Sequence, residues 1–458
     1  MHTDTAPERT PLSSWMALGL LLLLGLYTII DRPLLSLQAQ TLRTDLGLTD
    51  FQLGLVQGFG VAIVTAVAGY PLGWLADRYD RRRILAVSIA FWGLAMAGAG
   101  LATSFESLFI ASALIGAGEA CLVPITFAFM PELFANKHRH LANSLAVLCG
   151  RLGTGFMIAV CGWMIAGIDS LRAWLPDALA ALPSWRLVLL AGALPAAVLA
   201  PLILLLPAPV RHTAAAHATQ AGASHSPMAP VAPFLKQHPV AFVSLYFGLA
   251  TIVFAINCVF AFAPVVSMRY MGGTPLSVGN LMGLSMTLGT IAGFVIAQIA
   301  PRWLTSRFGT STPALLLFCT PVFSTIGAAG LLWAEDMTML FTSMGVMLTA
   351  VMAGTLLFPS MIQDMSPAPL RVRLAAISIT LNIVGGSLGG PAVGAISDLI
   401  GTHPRALQLA MGGTATAALV VGAIILLPLV RRYAAAVESA QQPIAPTAPT
   451  PSGSGLAA

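Results

Sequence analysis

A chain of 458 residues in which 57% are hydrophobic and 9% are charged cannot clothe itself in polar surface, since a soluble domain carries roughly a quarter charged residues. That excludes a water-soluble enzyme. The formal net charge of +5 does not point to nucleic acid, because the arginines are dispersed in short loops. Carriers, channels and membrane-embedded enzymes remain.

Apolar runs long enough to cross a hydrocarbon core, about 20 residues each, occupy 15–37, 51–76, 84–103, 107–129, 141–167 and 186–206. Six more follow at 240–266, 276–300, 313–333, 338–361, 373–399 and 405–430. Backbone groups in lipid must be satisfied internally, so these runs are helices. The expected fold is an all-α integral membrane protein with 12 transmembrane helices in two six-helix bundles. Its parts are an N-terminal segment 1–14, a first bundle 15–206, a linker 207–236, a second bundle 237–432 and a tail 433–458. The linker is rich in Pro, Ala, Ser and His, without apolar periodicity, and reads as flexible. The tail, ending in PIAPTAPTPSGSG, reads as disordered. Residues 168–185 form a longer outer loop whose Trp174 and Trp185 suit the lipid interface.

With the N-terminus in the cytoplasm, fifteen lysines and arginines fall inside and five outside, the latter being Arg43, Arg172, Arg186, Arg269 and Arg405. Positive charge sets orientation, so both termini are expected in the cytoplasm of a cell membrane, here a bacterial inner membrane. Six helices plus six suggests an internal repeat. A local echo supports it: Glu132 precedes Arg139 by seven residues after the fourth run, and Asp364 precedes Arg371 by seven after the tenth. Leu141-Ala142 and Leu374-Ala375 follow in turn.

The loop after the second run reads GWLADRYDRRR, Gly73 to Arg83. It resembles the Gly-x-Leu-x-Asp-Arg signature of the major facilitator superfamily. The resemblance implies a cytoplasmic gating motif linking the two halves when the carrier opens outward. Gly73 would allow close helix approach, Asp77 would accept hydrogen bonds at a facing helix end, and Arg78, Arg81 and Arg82 would supply counter-charge. Where the pattern commonly has Gly, this chain has Asp80. Glu132, Arg139, Asp364 and Arg371 fall in the corresponding gate-associated loops.

Four charged residues sit inside the runs, clear of their ends: Asp31, Arg32, Glu119 and Arg151. Burying a charge at a helix centre costs at least ~2.5–3.5 kcal/mol, so each must be paired or face water. Asp31 and Arg32 are separated by about 100° of helix rotation and cannot pair with each other. The functional reading makes Asp31 and Glu119 the proton- or cation-loading groups and gives the arginines an anionic part of the solute. The alternative is a static buried ion-pair network. Gln57, Asn257, Gln298 and Asn382 are further candidates for facing a cavity. GxxxG pairs such as Gly54/Gly58, Gly69/Gly73, Gly289/Gly293 and Gly386/Gly390 offer packing surfaces. Pro124, Pro264, Pro321, Pro359 and Pro391 are candidates for kinks.

The run from Asp31 to Gly58, GAGEA at Gly116–Ala120, the segment Trp185–Ala196 and that from Ile362 to Asp398 resemble the Spinster-like branch of the same superfamily. That resemblance implies proton-linked transport through the helix 1 acid and the helix 4 Glu, and lysolipid- or sphingoid-like solutes. The helix 4 Arg found in that branch seven residues before the Glu is Ser112 here, and Arg151 is its expected stand-in.

Other chemistries fit less well. GxSxG at Gly385–Gly389 lies inside a membrane run with no histidine in any run, so it is no nucleophile elbow. All eight histidines lie in loops or ends, which argues against buried haem, and His138-x-His140 reads as solvated rather than metal-binding. No P-loop is present, and the only lysines are Lys137 and Lys236. The five cysteines lie in apolar stretches with no paired spacing and read as packing residues. No cofactor, metal, nucleic acid or enzymatic activity is expected. The expected partners are the bilayer, protons and a small organic or lysolipid-like solute, moved by a monomer through alternating access. An uncoupled scramblase or channel-like passage, or a ligand-binding sensor, would use the same features differently.

Overall fold

The computed structural model describes residues 12–134, 136–206, 231–367 and 370–441. Within these helices the side chains of Asp77, Glu132 and Arg139 also lie outside the described set. The described residues contain helices and no strand. The first bundle comprises α1 (Leu12–Tyr27), α2 (Asp31–Leu37), α3 (Ala39–Leu46), α4 (Asp50–Gly54), α5 (Gly60–Arg78), α6 (Arg81–Gly100), α7 (Phe105–Glu119), α8 (Leu122–Leu133), α9 (Asn136–Gly167), α10 (Asp177–Ala180) and α11 (Ser184–Ile203). The second comprises α12 (Val231–Gln237), α13 (Pro239–Tyr270), α14 (Pro275–Phe308), α15 (Thr312–Leu332), α16 (Met337–Thr355), α17 (Phe358–Asp364), α18 (Arg371–Ser387), α19 (Gly389–Ile400) and α20 (Ala406–Gln441). Among the described residues, eleven segments are long and apolar enough to cross a membrane. One of them, Pro275–Trp333, turns back at Gly309–Ser311 and so crosses twice, which gives twelve crossings.

Several crossings are broken, and proline accounts for most breaks. A proline ring collides with the carbonyl four residues earlier and cannot donate to it. Pro33 thus sits in the first turn of α2, just after the break at Thr28–Ile30 that ends α1. Pro124 does the same for α8 after Ala120–Cys121, Pro359 for α17 and Pro391 for α19. Pro264 and Pro321 stay inside continuous helices. The second crossing is different: α4 and α5 are joined through a π-helical turn, Leu55–Phe59.

Call the face bearing the start of α1 proximal and the other distal. At the distal face the bundles close on each other. A Cβ on Gly54 would lie 2.5 Å from the Gly390 carbonyl carbon, and one on Gly394 would strike the Asp50 carbonyl, so α4 and α19 cross backbone to backbone. Ser36 Oγ on α2 donates to the carbonyls of Phe260 and Ala261 on α13. On the far flank, Gly155 and Gly162 of α9 pack against Gly283 and Gly279 of α14, and Trp163 donates to Asn280 at 3.0 Å.

Three expectations need correction. The segment 168–185 is not an open loop: Ile168–Trp174 is a 3-10 helix followed by α10, braced by Arg172, which bonds Asp169, the Leu182 carbonyl and Ser184. Trp174 is exposed, but Trp185 is only 1% exposed and donates to Asp45 at 2.8 Å. Its place in the core follows from that single polar handle being satisfied. The stretch 433–441 is not disordered but continues α20, because its alanines favour helix and Tyr433, Ala436 and Val437 are buried. Tyr433 also donates to Asp364 at 3.3 Å. Within the expected linker, residues 231–236 belong to α12; the remainder of the linker, 207–230, and of the tail, 442–458, lies outside the described residues.

Candidate functional site

A cavity of about 920 Å³ lies between the bundles, walled mostly by aliphatic side chains. Asp31, Arg32 and Glu119 all line it. Their positions follow from the broken helices: Asp31 is the first residue of α2, and Glu119 is the last of α7. Arg32 Nη2 approaches Glu119 Oε2 to 4.0 Å. Asp31 is 1% exposed, and its Oδ2 is buried without a hydrogen-bond partner. Glu119 is flanked by Asp31, Arg32 and the Trp92 indole. Two carboxyl groups and one guanidinium in an apolar wall leave one negative charge in excess when all are ionised, and a proton or a cationic group relieves it.

Glycines bring Glu119 there. A Cβ on Gly116 would collide with the Val61 carbonyl, whose neighbour Thr65 donates to the Gly116 carbonyl at 3.0 Å. A Cβ on Gly118 would lie 2.6 Å from the Trp92 Cβ and 2.9 Å from its Cα. α7 is therefore held tightly against both α5 and α6. Gly118→Val is expected to force α6 and α7 apart, an overpacking cost of about 1–3 kcal/mol or more. Detergent-solubilised protein should then lose its single size-exclusion peak, whereas Leu114→Val, on an exposed position of the same helix, should keep it.

The fourth expected member of the site is placed elsewhere. Arg151 is exposed and does not line the cavity, although Gly150 and Thr154 beside it do. One turn on, Gly155 touches Gly283 of α14. Ser112 is fully buried, bonds the Phe109 carbonyl and packs against Gly60. Arg32, rather than Arg151, supplies the guanidinium beside Glu119. Of the four polar candidates, Gln57 and Asn257 line the cavity and Gln298 and Asn382 do not.

At the proximal loop, Asp80 caps α6 by accepting from the Arg82 amide at 3.0 Å, and grips the Arg82 guanidinium at 2.8 and 3.2 Å. Arg82 passes on to the Leu206 carbonyl at 3.0 Å, and Arg81 reaches the Ala128 carbonyl. Through Arg82, Asp80 thus ties this loop to the chain just past α11, a use for the residue that departs from the family pattern. Arg78 lies over the Trp74 ring, 4.9 Å from its centroid. A Cβ at Gly73 or Gly69 would meet nothing within 4 Å, so the close approach expected of Gly73 is not made in this conformation. Arg371 bonds the Ser366 carbonyl, and Asp364 accepts from Tyr433.

The Arg82 hydrogen bonds hold the Asp80 carboxyl below the usual carboxylate range. A lowered folded value means the stabilisation is present above the unfolded value and lost as pH falls through the lowered one. Asp80→Ala is expected to cost about 1 kcal/mol at this cap, roughly a fivefold faster exchange of the first α6 amides. The difference from wild type should be full at neutral pH and close in acid.

Sequence reading missed a second polar cluster, at the distal face. Asp50 accepts two hydrogen bonds from Arg269, at 2.8 and 3.0 Å, and one from Ser397 at 2.8 Å. Arg43 approaches it to 3.3 Å, and Gln40 accepts from Arg269 Nε at 3.0 Å. Asp398 in turn accepts from the backbone amides of Asp50 and Phe51. Arg269, Ser397 and Asp398 belong to the second bundle and the others to the first, so the cluster clamps the halves together.

Two six-helix bundles, closed at one face around a cavity with intramembrane charges, define a polytopic membrane carrier. The chain belongs to the Major Facilitator Superfamily, whose family profile matches residues 16–368; it is a transporter and not an enzyme. An MFS-type efflux pump of Mycolicibacterium smegmatis is 28% identical over 87% of this chain and 88% of its own length. A probable 4-methylmuconolactone transporter of Cupriavidus pinatubonensis is 33% identical over 36% of each chain. The fold is shared with a crystal structure of a bacterial homolog of the human lysosomal transporter Spinster, inward-facing and unoccupied. The two superpose with a TM-score of 0.73 at 17% identity, covering 95% of this chain and 98% of that one.

Proposed function

We propose that the protein is a proton-coupled secondary transporter that moves a small organic or lipid-like solute, lysolipid- or sphingoid-like in shape, by alternating access. Supporting this above all is the placement of Asp31, Arg32 and Glu119 at helix breaks in the wall of one large, otherwise apolar cavity. Discontinuous helices meeting at mid-membrane are where carriers bind their ions and solutes. The volume of about 920 Å³ suits a single-chain amphiphile or a compact aromatic acid. The excess carboxylate supplies a place for one proton, and Arg32 supplies an attachment for an anionic group. The resemblance to the Spinster-like branch favours the lipid-like end of this range.

The positive-inside distribution puts the proximal face and both termini in the cytoplasm of a bacterial inner membrane. The conformation, shut at the distal face, is then the inward-facing one. Proteoliposomes loaded in turn with lysolipids, sphingoid bases and small organic anions test the reading under an imposed pH gradient. Flux of at least one class that rises and falls with the gradient is the expected result. Flux indifferent to the gradient for every class would overturn coupling and leave an uncoupled passage.

A further inference from the structure

The second crossing carries a local irregularity that neither the coupling residues nor the distal clamp explains. Between α4 and α5 the chain makes a π-helical turn over Leu55–Phe59. Such turns are rare, weaken the local hydrogen-bond ladder and tend to persist where a side chain must be aimed. At the middle of this one stands Gln57. It is 7% exposed, lines the cavity, and has neither Oε1 nor Nε2 hydrogen-bonded to any protein atom. Buried amides are nearly always bonded, and this one offers an acceptor and two donors at once.

We propose that Gln57 is a solute-binding, specificity-determining residue, which takes a neutral hydrogen-bonding group of the solute, such as a hydroxyl, amide or ester. The charged end of the same cavity is built by Asp31, Arg32 and Glu119; Gln57 adds an uncharged polar point on a different helix. Facing the cavity from the second bundle is Asn257, one of whose Nδ2 hydrogens is spent on the Val253 carbonyl at 2.9 Å. A solute held by both charge and carboxamide is fixed in orientation as well as in place. A ligand analogue lacking the neutral group leaves the buried amide unpaired, and that is how such a site discriminates.

The proposal rests on the transporter reading, and its test separates the two. Proteoliposomes bearing wild type or Gln57→Leu would be compared for flux of a 1-acylglycerol 3-phosphate and its 2-deoxy analogue, which differ by one hydroxyl. Alongside, 3-(3-hydroxyphenyl)propionate and 3-phenylpropionate form a second such pair. Wild type is expected to prefer the hydroxylated member of at least one pair by roughly tenfold in kcat/KM. Gln57→Leu should bring the ratio near one. A preference that survives the substitution, or is absent from every pair that wild type carries, overturns the proposal.

Thermal unfolding without ligand reports on Gln57 whatever the solute proves to be. An amide kept for binding and unbonded in the empty protein predicts an unchanged or raised Tm in Gln57→Leu. A lowered Tm would assign it a structural bond and overturn the proposal. Wild type that moves neither pair would sink the proposed solute classes, and the unfolding comparison would still decide the role of Gln57.

Discussion

Glu119→Gln is expected to abolish solute-evoked proton movement while the protein still folds and inserts. The amide keeps the size and polarity of the carboxyl but carries no exchangeable charge. It therefore separates the proton from the shape of the site. Glu119 stands against Arg32 at 4.0 Å with Asp31 alongside, so removing its charge leaves Asp31 and Arg32 as a neutral set with no excess to titrate. The coupled flux should fall at least about tenfold, the equivalent of losing ~1.4 kcal/mol of driving interaction. Asp31→Asn should act in the same direction, with its buried, unbonded Oδ2 marking the other place a proton can sit. The measurement is a pH-sensitive dye inside proteoliposomes, read as solute is added. Proton movement unchanged in Glu119→Gln would reduce the triad to a static ion-pair network.

Arg269→Ala is expected to shift the resting conformation rather than the chemistry. Side-chain exposures of 15% for Arg269 and 4% for Asp50 place this pair out of water. Removing one partner of a buried pair strands the other, at about 3–5 kcal/mol. Ser397, Arg43 and the neighbouring backbone soften that cost here, so the lower end, ~3 kcal/mol, is the fair expectation. The penalty falls only on the conformation whose distal face is shut. A shift of that size moves the open-to-closed ratio by roughly a hundredfold. Spin labels on Thr44→Cys and Thr402→Cys, both exposed and on opposite sides of the clamp, would report it as a longer distance population. An unchanged distribution would mean that the Gly54–Gly390 crossing, not the ion pair, holds the face shut.

The crossings, their number and the inward acids were legible because each depends on composition within one run. Twenty apolar residues announce a helix wherever they stand, and Glu119 inside such a run must face something polar. The breaks were less legible. Residues 15–37 read as one continuous helix, whereas Pro33 ends α1 after Tyr27 and restarts the chain at Asp31. The proline carried the signal; hydropathy hid it. Arg151 shows the opposite limit. Its depth along α9 was clear, but which neighbour its face met depended on how far the bundles had separated. Arg269 was counted only as an outer-face charge, and Asp50 and Asp398 were given no role, because each stands at a helix end. Only the meeting of α4 with α13 and α19 brings together residues 219 and 348 positions apart. The acid–glycine spacing at the two ends, Asp50 before Gly54 and Gly390 before Asp398, was the one available hint.

The π-turn has a consequence for the phase of the second crossing. Gly54, which touches helix α19 at the distal face, and Gly73, which touches nothing at the proximal one, stand nineteen residues apart in the chain. At about 100° per residue, an unbroken α-helix would leave them roughly a quarter-turn out of step. The extra residue absorbed at Leu55–Phe59 takes up that offset and aligns both glycines along one line of the rod. The same edge therefore carries a bare backbone at each end, one engaged and one vacant. A helix so phased can trade its contact from one end to the other without turning about its own axis.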